Sequence, residues 1–376
     1  MANSNLTNAK RAKNDEFYTQ YGDIQKEIEA YLEFNPDVFR GKVVYCNCDD
    51  PFESNFFRYF ALNFNKLGLK RLITTSYKPS PVANTLLDLI DYGKNPDKLK
   101  GRPKITANKF IINEARDIDG DGEFNLKDIA KQLKANKNNE WAPLENDGDF
   151  RSDECVNLLK QSDIVITNPP FSLFREYVKQ LFDYNKKFVI IGSMNAITYK
   201  EIFPLIKNNK MWLGNGFRAG NAYFFTPNTR DFASGVYDAK TGLVKFRNVC
   251  WFTNLDHGRR HQPLQLMTMK NNLKYSKHKD IKGKKAYDKY DNYNAIEVPF
   301  TDSIPSDYNG VMGVPISFLD KYNPEQFEIL GSDYNVKEGL LPKLVNPKWK
   351  GKLDRGYVNN KRLYTRIFIR HKKVGE

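Results

Sequence analysis

The chain has 376 residues, with 59 Lys+Arg against 45 Asp+Glu and a formal net charge of +14. That length suits one large or two ordinary domains with a real core. There is no 18-residue apolar run or signal-peptide pattern, and Cys46, Cys48, Cys155 and Cys250 are scattered, so the expectation is a cytoplasmic protein with free thiols, neither membrane-spanning nor disulfide-stapled.

Residues 1–13 are polar and basic and read as an arm. Ile24, Ile28 and Leu32 then recur at helical spacing until Asn35-Pro36 stops the pattern. Lys42 to Cys48 reads as a strand closed by Asp49-Asp50-Pro51. Asn55 to Leu67 is an aromatic-rich helix ended by Gly68, and Arg71 to Ser76 is another strand. Residues 78–146, rich in Lys, Asn and Pro, read as irregular insertions on one rim. Strands at Ile164 and at Lys187 to Gly192 alternate with helices at Leu173 to Phe182 and Tyr199 to Ile206, and Lys210 to Leu213 is a further strand. Strands alternating with helices imply an α/β fold with a doubly wound, Rossmann-like parallel sheet, whose ligands bind outside the carboxyl ends of the strands. After Gly214 aromatic, Asn and basic residues interleave and turns multiply. A domain boundary is therefore expected there, giving domains 1–214 and 215–376.

Charge follows this division. From Met211 to the end there are 28 Lys+Arg and 16 Asp+Glu, a net of +12, whereas the first 210 residues hold 31 and 29, a net of +2. Arg259-Arg260-His261 and Lys282-Gly283-Lys284-Lys285 lie in the basic half. Such asymmetry points to a polyanion such as nucleic acid.

The stretch richest in chemistry is Asp163-Ile164-Val165-Ile166-Thr167-Asn168-Pro169-Pro170-Phe171. A short buried strand runs straight into Asn-Pro-Pro-aromatic. The prolines stiffen the turn. Asn168 Oδ1 and the Pro169 carbonyl can then accept both hydrogens of one exocyclic amino group, while Phe171 stacks on the ring that carries it. This suits an amino-methyltransferase acting on a flipped-out adenine. Cytosine N4 and protein glutamine fit the same chemistry, and a plain Pro-Pro strand exit with Phe171 in the core is the structural alternative.

An acidic loop has calcium-loop spacing: Asp117, Asp119 and Asp121 stand at positions 1, 3 and 5, Gly122 at 6, Asn125 at 9 and Asp128 at 12, and Glu123 offers its carbonyl. Either a structural Ca2+ site or a solvated acidic turn meets this pattern.

Several blocks together resemble the EcoRI modification methylase family of adenine-specific DNA methyltransferases. They are Asp15 to Tyr21, Lys42 to Pro51, Ser54 to Phe57, Gly148 to Ser152, Asp163 to Phe174, Tyr308 to Leu319 and Asn323 to Glu328. The resemblance implies an S-adenosyl-L-methionine-dependent enzyme that methylates adenine N6 within a short double-stranded DNA site, with cofactor blocks first and the target-recognition region last. It implies that Phe17, Tyr18 and Thr19 cover the methionine moiety of the cofactor. Asp49, Asp50 and Pro51 form the first-strand exit, with Asp49 or Asp50 on the ammonium. Asp149 and Phe150 would read the cofactor's adenine, and Asn168, Pro169, Pro170 and Phe171 would form the catalytic turn. A glycine-rich loop after the first strand is absent here, as in that family, and the second strand ends in Thr75-Ser76-Tyr77 without a carboxylate for ribose. A monomer is expected, without membrane contact, paired in function with a cognate restriction endonuclease that does not join it in a complex. The competing readings are a DNA-binding module that keeps the fold without activity, and a methyltransferase acting on RNA or protein.

Overall fold

The computed structural model describes residues 17–48, 54–77, 107–118, 120–121, 124–135, 137–217, 221–225, 232 and 234–372. The chain forms two compact units, residues 1–194 with 214–256, and residues 195–213 with 257–376. This differs from a simple division at Gly214. Residues 215–256, expected to open the basic domain, pack with the first unit.

The reason is visible at Glu27. This residue lies in helix α1 (Tyr21–Phe34), whose Ile24, Ile28 and Tyr31 face the core at helical spacing. Glu27 is fully buried among them. Its two carboxylate oxygens accept the backbone N–H groups of Asn215 and Gly216 at 2.8 and 2.9 Å, and the Tyr31 hydroxyl donates to Oε1 at 2.8 Å. A carboxylate is buried at such a place only because charge-assisted hydrogen bonds replace its water. Gly214 is required beside it, since a Cβ there would lie 2.1 Å from Glu27 Oε1.

The first unit contains β1 (Tyr18–Thr19), β2 (Val43–Cys46), β3 (Arg71–Thr75), β4 (Asn108–Ile112), β5 (Glu140–Pro143), β6 (Ile164–Thr167) and β7 (Lys187–Ser193). Strand β8 (Trp212–Leu213) belongs to the second unit, and β9 (Asn221–Phe225), β10 (Tyr237–Asp238), β11 (Leu243–Arg247) and β12 (Val249–Thr253) return to the first. The large sheet orders these strands β5-β4-β3-β2-β6-β7-β12. Its centre, β3-β2-β6-β7, is parallel. Both flanks are antiparallel: β4 and β5 extend one edge and β12 the other. The sheet is therefore mixed rather than wholly parallel. The stretch read as irregular insertion supplies β4, β5 and a helix at Leu126–Ala135, while residues 78–106 lie outside the described ones.

Strands β2 and β6 at the centre are buried along their whole length, as their continuous β-branched and aromatic runs require. Helix α2 (Asn55–Leu62) begins where Ser54 Oγ accepts from the amides of Phe56 and Phe57, at 3.2 and 3.5 Å. It inserts Phe56, Phe57 and Phe60 into the core, and the short α3 (Phe64–Leu67) ends at left-handed Gly68. Helices α4 (Leu126–Ala135), α5 (Asp153–Gln161) and α6 (Phe174–Asp183) follow, the last entering directly from the Asn-Pro-Pro turn. A second sheet, β1-β9-β11-β10, is antiparallel throughout.

In the second unit, α7 (Phe203–Lys207) is shorter than the predicted helix, with Met194–Thr198 forming a 3-10 turn before it. Helix α8 (Met269–Tyr275) is capped by Thr268. Strands β13 (Ile296–Glu297), β14 (Met312–Pro315), β15 (Phe327–Ser332) and β18 (Arg366–His371) form a sheet of order β13-β14-β18-β15, while β16 (Tyr357–Val358) and β17 (Lys361–Arg362) form a hairpin. Tyr290, Tyr293 and Phe368 fill the core, and helix α9 (Asp333–Lys337) covers it through Val336. A buried ion pair closes this unit, Arg366 Nη2 to Glu297 Oε1 at 2.6 Å, and Tyr290 also donates to Glu297. Among the described residues no helix is long and apolar enough to cross a membrane.

Candidate active site

The chain passes from β2 outward to β3 and later returns to β6 on the other side of β2. The strand order reverses between β2 and β6, the place where open α/β sheets bind ligands in a crevice beyond the carboxyl ends of the strands. The two turns that leave these strands carry Asn47-Cys48 and Asn168-Pro169-Pro170-Phe171, so topology alone brings together blocks 120 residues apart in sequence.

Side chains lock the two exits to each other. Thr167 Oγ1, the last residue of β6, donates to the Asn47 carbonyl. Tyr177, from the next helix, donates its hydroxyl to Asn47 Oδ1. Burial pushes the Tyr177 phenol well above its ordinary range, which keeps it a proton donor. Cys48 then takes a left-handed φ of 74°, a conformation that costs a non-glycine residue energy and recurs at functional turns. Asp49, Asp50 and Pro51, which follow it, lie outside the described residues.

Asn168 is 9% exposed. Its Nδ2 donates to the Phe17 carbonyl at 2.7 Å, across 151 residues of sequence. This bond fixes the amide's orientation and leaves Oδ1 buried with no hydrogen-bond partner among the described residues. A buried amide oxygen left unpaired costs about 1–3 kcal/mol, and such atoms call for an explanation. Thr19 Oγ1, two residues beyond Phe17, is also buried and unpartnered among the described residues. Pro169 is buried, and Pro170 and Phe171 are half-buried. Phe171 opens a short 3-10 turn and packs at the edge of the main core.

The expected arm residues divide their work. Phe17 contributes its carbonyl to Asn168, while its ring meets Phe246 edge-on at 4.6 Å. Tyr18 and Thr19 form β1 and pair with Phe225 and Phe224. The Thr19 carbonyl accepts from Asn55 Nδ2 at 2.7 Å. The start of α2 thereby holds the arm.

The Gly148-Asp149-Phe150 block sits against the exit of β3. Gly148 has φ 79°, and a Cβ there would lie 1.9 Å from the Ser76 carbonyl, so the approach admits only glycine. Asp149 accepts both guanidinium arms of Arg151, at 2.9 and 2.7 Å, and Arg151 reaches Glu176 at 3.0 Å. Phe150 is 5% exposed and meets Tyr177 edge-on at 4.9 Å. The structure therefore packs Phe150 against Tyr177 and holds Asp149 in an ion pair.

The acidic loop is built around a different use of its oxygens. Asp128 is fully buried, and its carboxylate accepts the Ile118 and Asn125 amides at 3.0 and 2.9 Å. Asp117 Oδ1 accepts the Gly120 amide at 2.7 Å, and Asn125 Oδ1 that of Lys127 at 2.8 Å. Asp119 and Glu123 lie outside the described residues, and among the described ones no group of three His, Cys, Asp or Glu is placed to hold a metal. The Ca2+ site suggested by the spacing is not supported. Asp128 is drawn inward because it satisfies backbone amides at the start of α4.

The basic runs are partly committed as well. Arg259 pairs with Asp320 at 2.6 Å, Arg260 covers the Trp212 ring at 3.9 Å, and His261 meets Glu325 at 3.0 Å. Lys284 pairs with Asp288 at 2.6 Å.

Sequence reading missed Asn47, Thr167 and Tyr177 as organisers of the two strand exits. Asn47 was within reach, since a buried Asn between two cysteines at a strand exit needs partners. Tyr177 carries no local signal beyond helical spacing.

Residues 5–372 match the family described as adenine-specific methyltransferase EcoRI. The chain is 41% identical to the type II methyltransferase M.EcoRI of Escherichia coli, over 99% of this chain and 98% of that one. It is 34% identical to M.MpnI of Mycoplasma pneumoniae, over 97% of each chain. A third relative, M.MgeORF184P of Mycoplasma genitalium, is 35% identical over 97% of this chain and 98% of its own. No solved structure gives a significant match.

Proposed function

The chain belongs to the EcoRI family of adenine-specific methyltransferases, and from that premise we propose that it uses S-adenosyl-L-methionine to methylate N6 of an adenine flipped out of a short duplex DNA site. The carrying observation is the buried Asn168 Oδ1, oriented by the Phe17 carbonyl and lacking a partner among the described residues. An exocyclic amino group supplies the missing donor.

The residues fit the cofactor too. Thr19 Oγ1 is a second buried polar atom without a partner among the described residues, two residues beyond Phe17. Thr19, with Asp49, Asp50 and Pro51 beyond β2, would hold S-adenosylmethionine outside the switch point of the parallel strands, a Rossmann-like cradle. Bound there, the cofactor supplies an electrophilic methyl group. The protein's part is positioning and electrostatics. Asn168 Oδ1 and the Pro169 carbonyl accept the two N6 hydrogens and stabilise positive charge as it develops on that nitrogen. Preorganised dipoles of this kind are worth roughly 10²–10³ in rate. Phe171 stacks on the base, and orientation of N6 supplies much of the remainder.

In this reading the first unit is catalytic, and the second, with most of the basic surplus, recognises the target. The protein acts as a monomer in the cytoplasm and protects sites from a cognate endonuclease. The test is to incubate the protein and cofactor with plasmid DNA and map the modified bases. N6-methyladenine confined to one short sequence is the expected result. Cofactor binding without methylation of any DNA would favour a module that keeps the fold but not the activity, and methylation of RNA alone would move the substrate class.

A further inference from the structure

Building on that assignment, we propose that the outer face of the β1-β9-β11-β10 sheet is a platform for the DNA strand flanking the extruded adenine. Strand register puts the relevant side chains on one face. In β9, Ala222 and Phe224 are buried, while Tyr223 and Phe225 are 42% and 41% exposed. Tyr223 pairs with Lys245, Asn221 with Arg247 and Phe225 with Leu243. Alternate residues of a strand share a face, so Tyr223, Phe225, Lys245 and Arg247 point the same way. The core takes Ala222 and Phe224 from this strand, and although Phe225 lies beside the Tyr18 ring at 6.4 Å, both outer aromatics keep about two-fifths of their surface exposed.

Their neighbours point to a nucleic-acid strand. Lys245 Nζ lies 5.8 Å from the Tyr223 ring centre, and Arg247 is exposed beyond it. A cavity of about 580 Å³, lined by Tyr223, Asp238, Lys240, Leu243 and Lys245 among others, opens on this face. Asp238 is the acid there, and its Oδ1 already accepts the Lys240 amide at 2.9 Å. Aromatic rings beside cations, on an exposed sheet, form a stacking surface with phosphate partners. Its position suits the reaction. Phe225 pairs with Tyr18, and the adjoining Phe17 carbonyl holds Asn168. A strand crossing this face runs beside the catalytic turn.

The experiment uses the full-length protein and a duplex carrying one site mapped on plasmid DNA. Affinity is measured across a salt series for wild type, for Lys245→Gln/Arg247→Gln and for Tyr223→Ala/Phe225→Ala. Loss of two phosphate contacts should lower the slope of log affinity against log salt by about 2. Loss of two stacking rings should weaken binding roughly tenfold or more at unchanged slope, and Tyr223→Trp with Phe225 intact should bind near wild type. Cofactor affinity and melting should match wild type in all variants, and the charge pair, being solvent-facing, tests the idea even if the aromatic pair fails to fold. If wild type methylates DNA while both double variants bind with wild-type affinity and salt slope, the platform is refuted and the activity stands. If wild type methylates no DNA, the activity falls and the platform with it.

Discussion

The side-chain amide of Asn168 donates to the main-chain carbonyl of Phe17 at 2.7 Å. One bond thus joins the Asn-Pro-Pro turn proposed as catalytic to the amino-terminal segment and aims Oδ1 in a single direction. Asn168→Ala removes the acceptor. Single-turnover methylation should fall by roughly 10²–10³ while affinity for cofactor and duplex changes little, because the bond strengthens mainly in the transition state. Single-turnover rates near wild type would deny Asn168 this role.

Phe171 stands half-buried beside that turn. If it stacks on the extruded base, Phe171→Ala should weaken base capture by roughly 1–3 kcal/mol, and Phe171→Trp should retain part of it. A 2-aminopurine at the target position brightens on extrusion. Equal brightening with wild type and Phe171→Ala would show that another group holds the base.

Asp128 holds two backbone amides with a fully buried carboxylate. Asp128→Ala should destabilise the first unit by about 2–4 kcal/mol, since both donors lose their acceptor. Melting of wild type should be the same in calcium and in chelator. An upward shift in calcium that Asp117→Ala abolishes would restore the cation site.

In the second unit, desolvation raises the Asp333 carboxyl from 3.8 to about 6. The folded state therefore holds a proton that the unfolded chain releases at lower pH. This contribution to stability is fully present below pH 3.8 and is lost as pH rises through about 6. The total is on the order of 3 kcal/mol. Asp333→Asn keeps an acceptor for the Arg366 amide, which now donates at 2.6 Å, and cannot titrate. Denaturant unfolding at pH 4, 5, 6 and 7 should show the wild type losing stability relative to Asp333→Asn across this range. A constant difference between the two would mean that Asp333 is ionised throughout.

Helices and strands of the first unit were legible wherever burial is periodic or continuous. Ile24, Ile28 and Tyr31 share one helical face, and Ile164 to Thr167 is a fully buried strand. Antiparallel β4 and β5 were not, because their stretch is polar and interrupted. The turn proposed as catalytic stood out in the sequence for another reason: Asn168-Pro169-Pro170-Phe171 is contiguous, and proline stiffness is a local property. Asp149 shows what spacing does not give: Arg151, two positions away, donates to both of its carboxylate oxygens.

Sequence by itself determined the α/β alternation that builds the sheet and the family to which the chain belongs, and it singled out Asn168-Pro169-Pro170-Phe171 as the turn proposed for the chemistry. Only the tertiary structure decided which oxygen is left waiting. Asn168 has a donor and an acceptor, and nothing in its neighbours along the chain says which one is used internally. The Phe17 carbonyl, 151 residues away, settles this. Likewise the acidic spacing at Asp117 to Asp128 is compatible with a cation until folding buries Asp128 against backbone amides. The physical reason is common to both: a buried polar group must find partners, and partners are chosen by proximity in the fold, which sequence spacing does not encode.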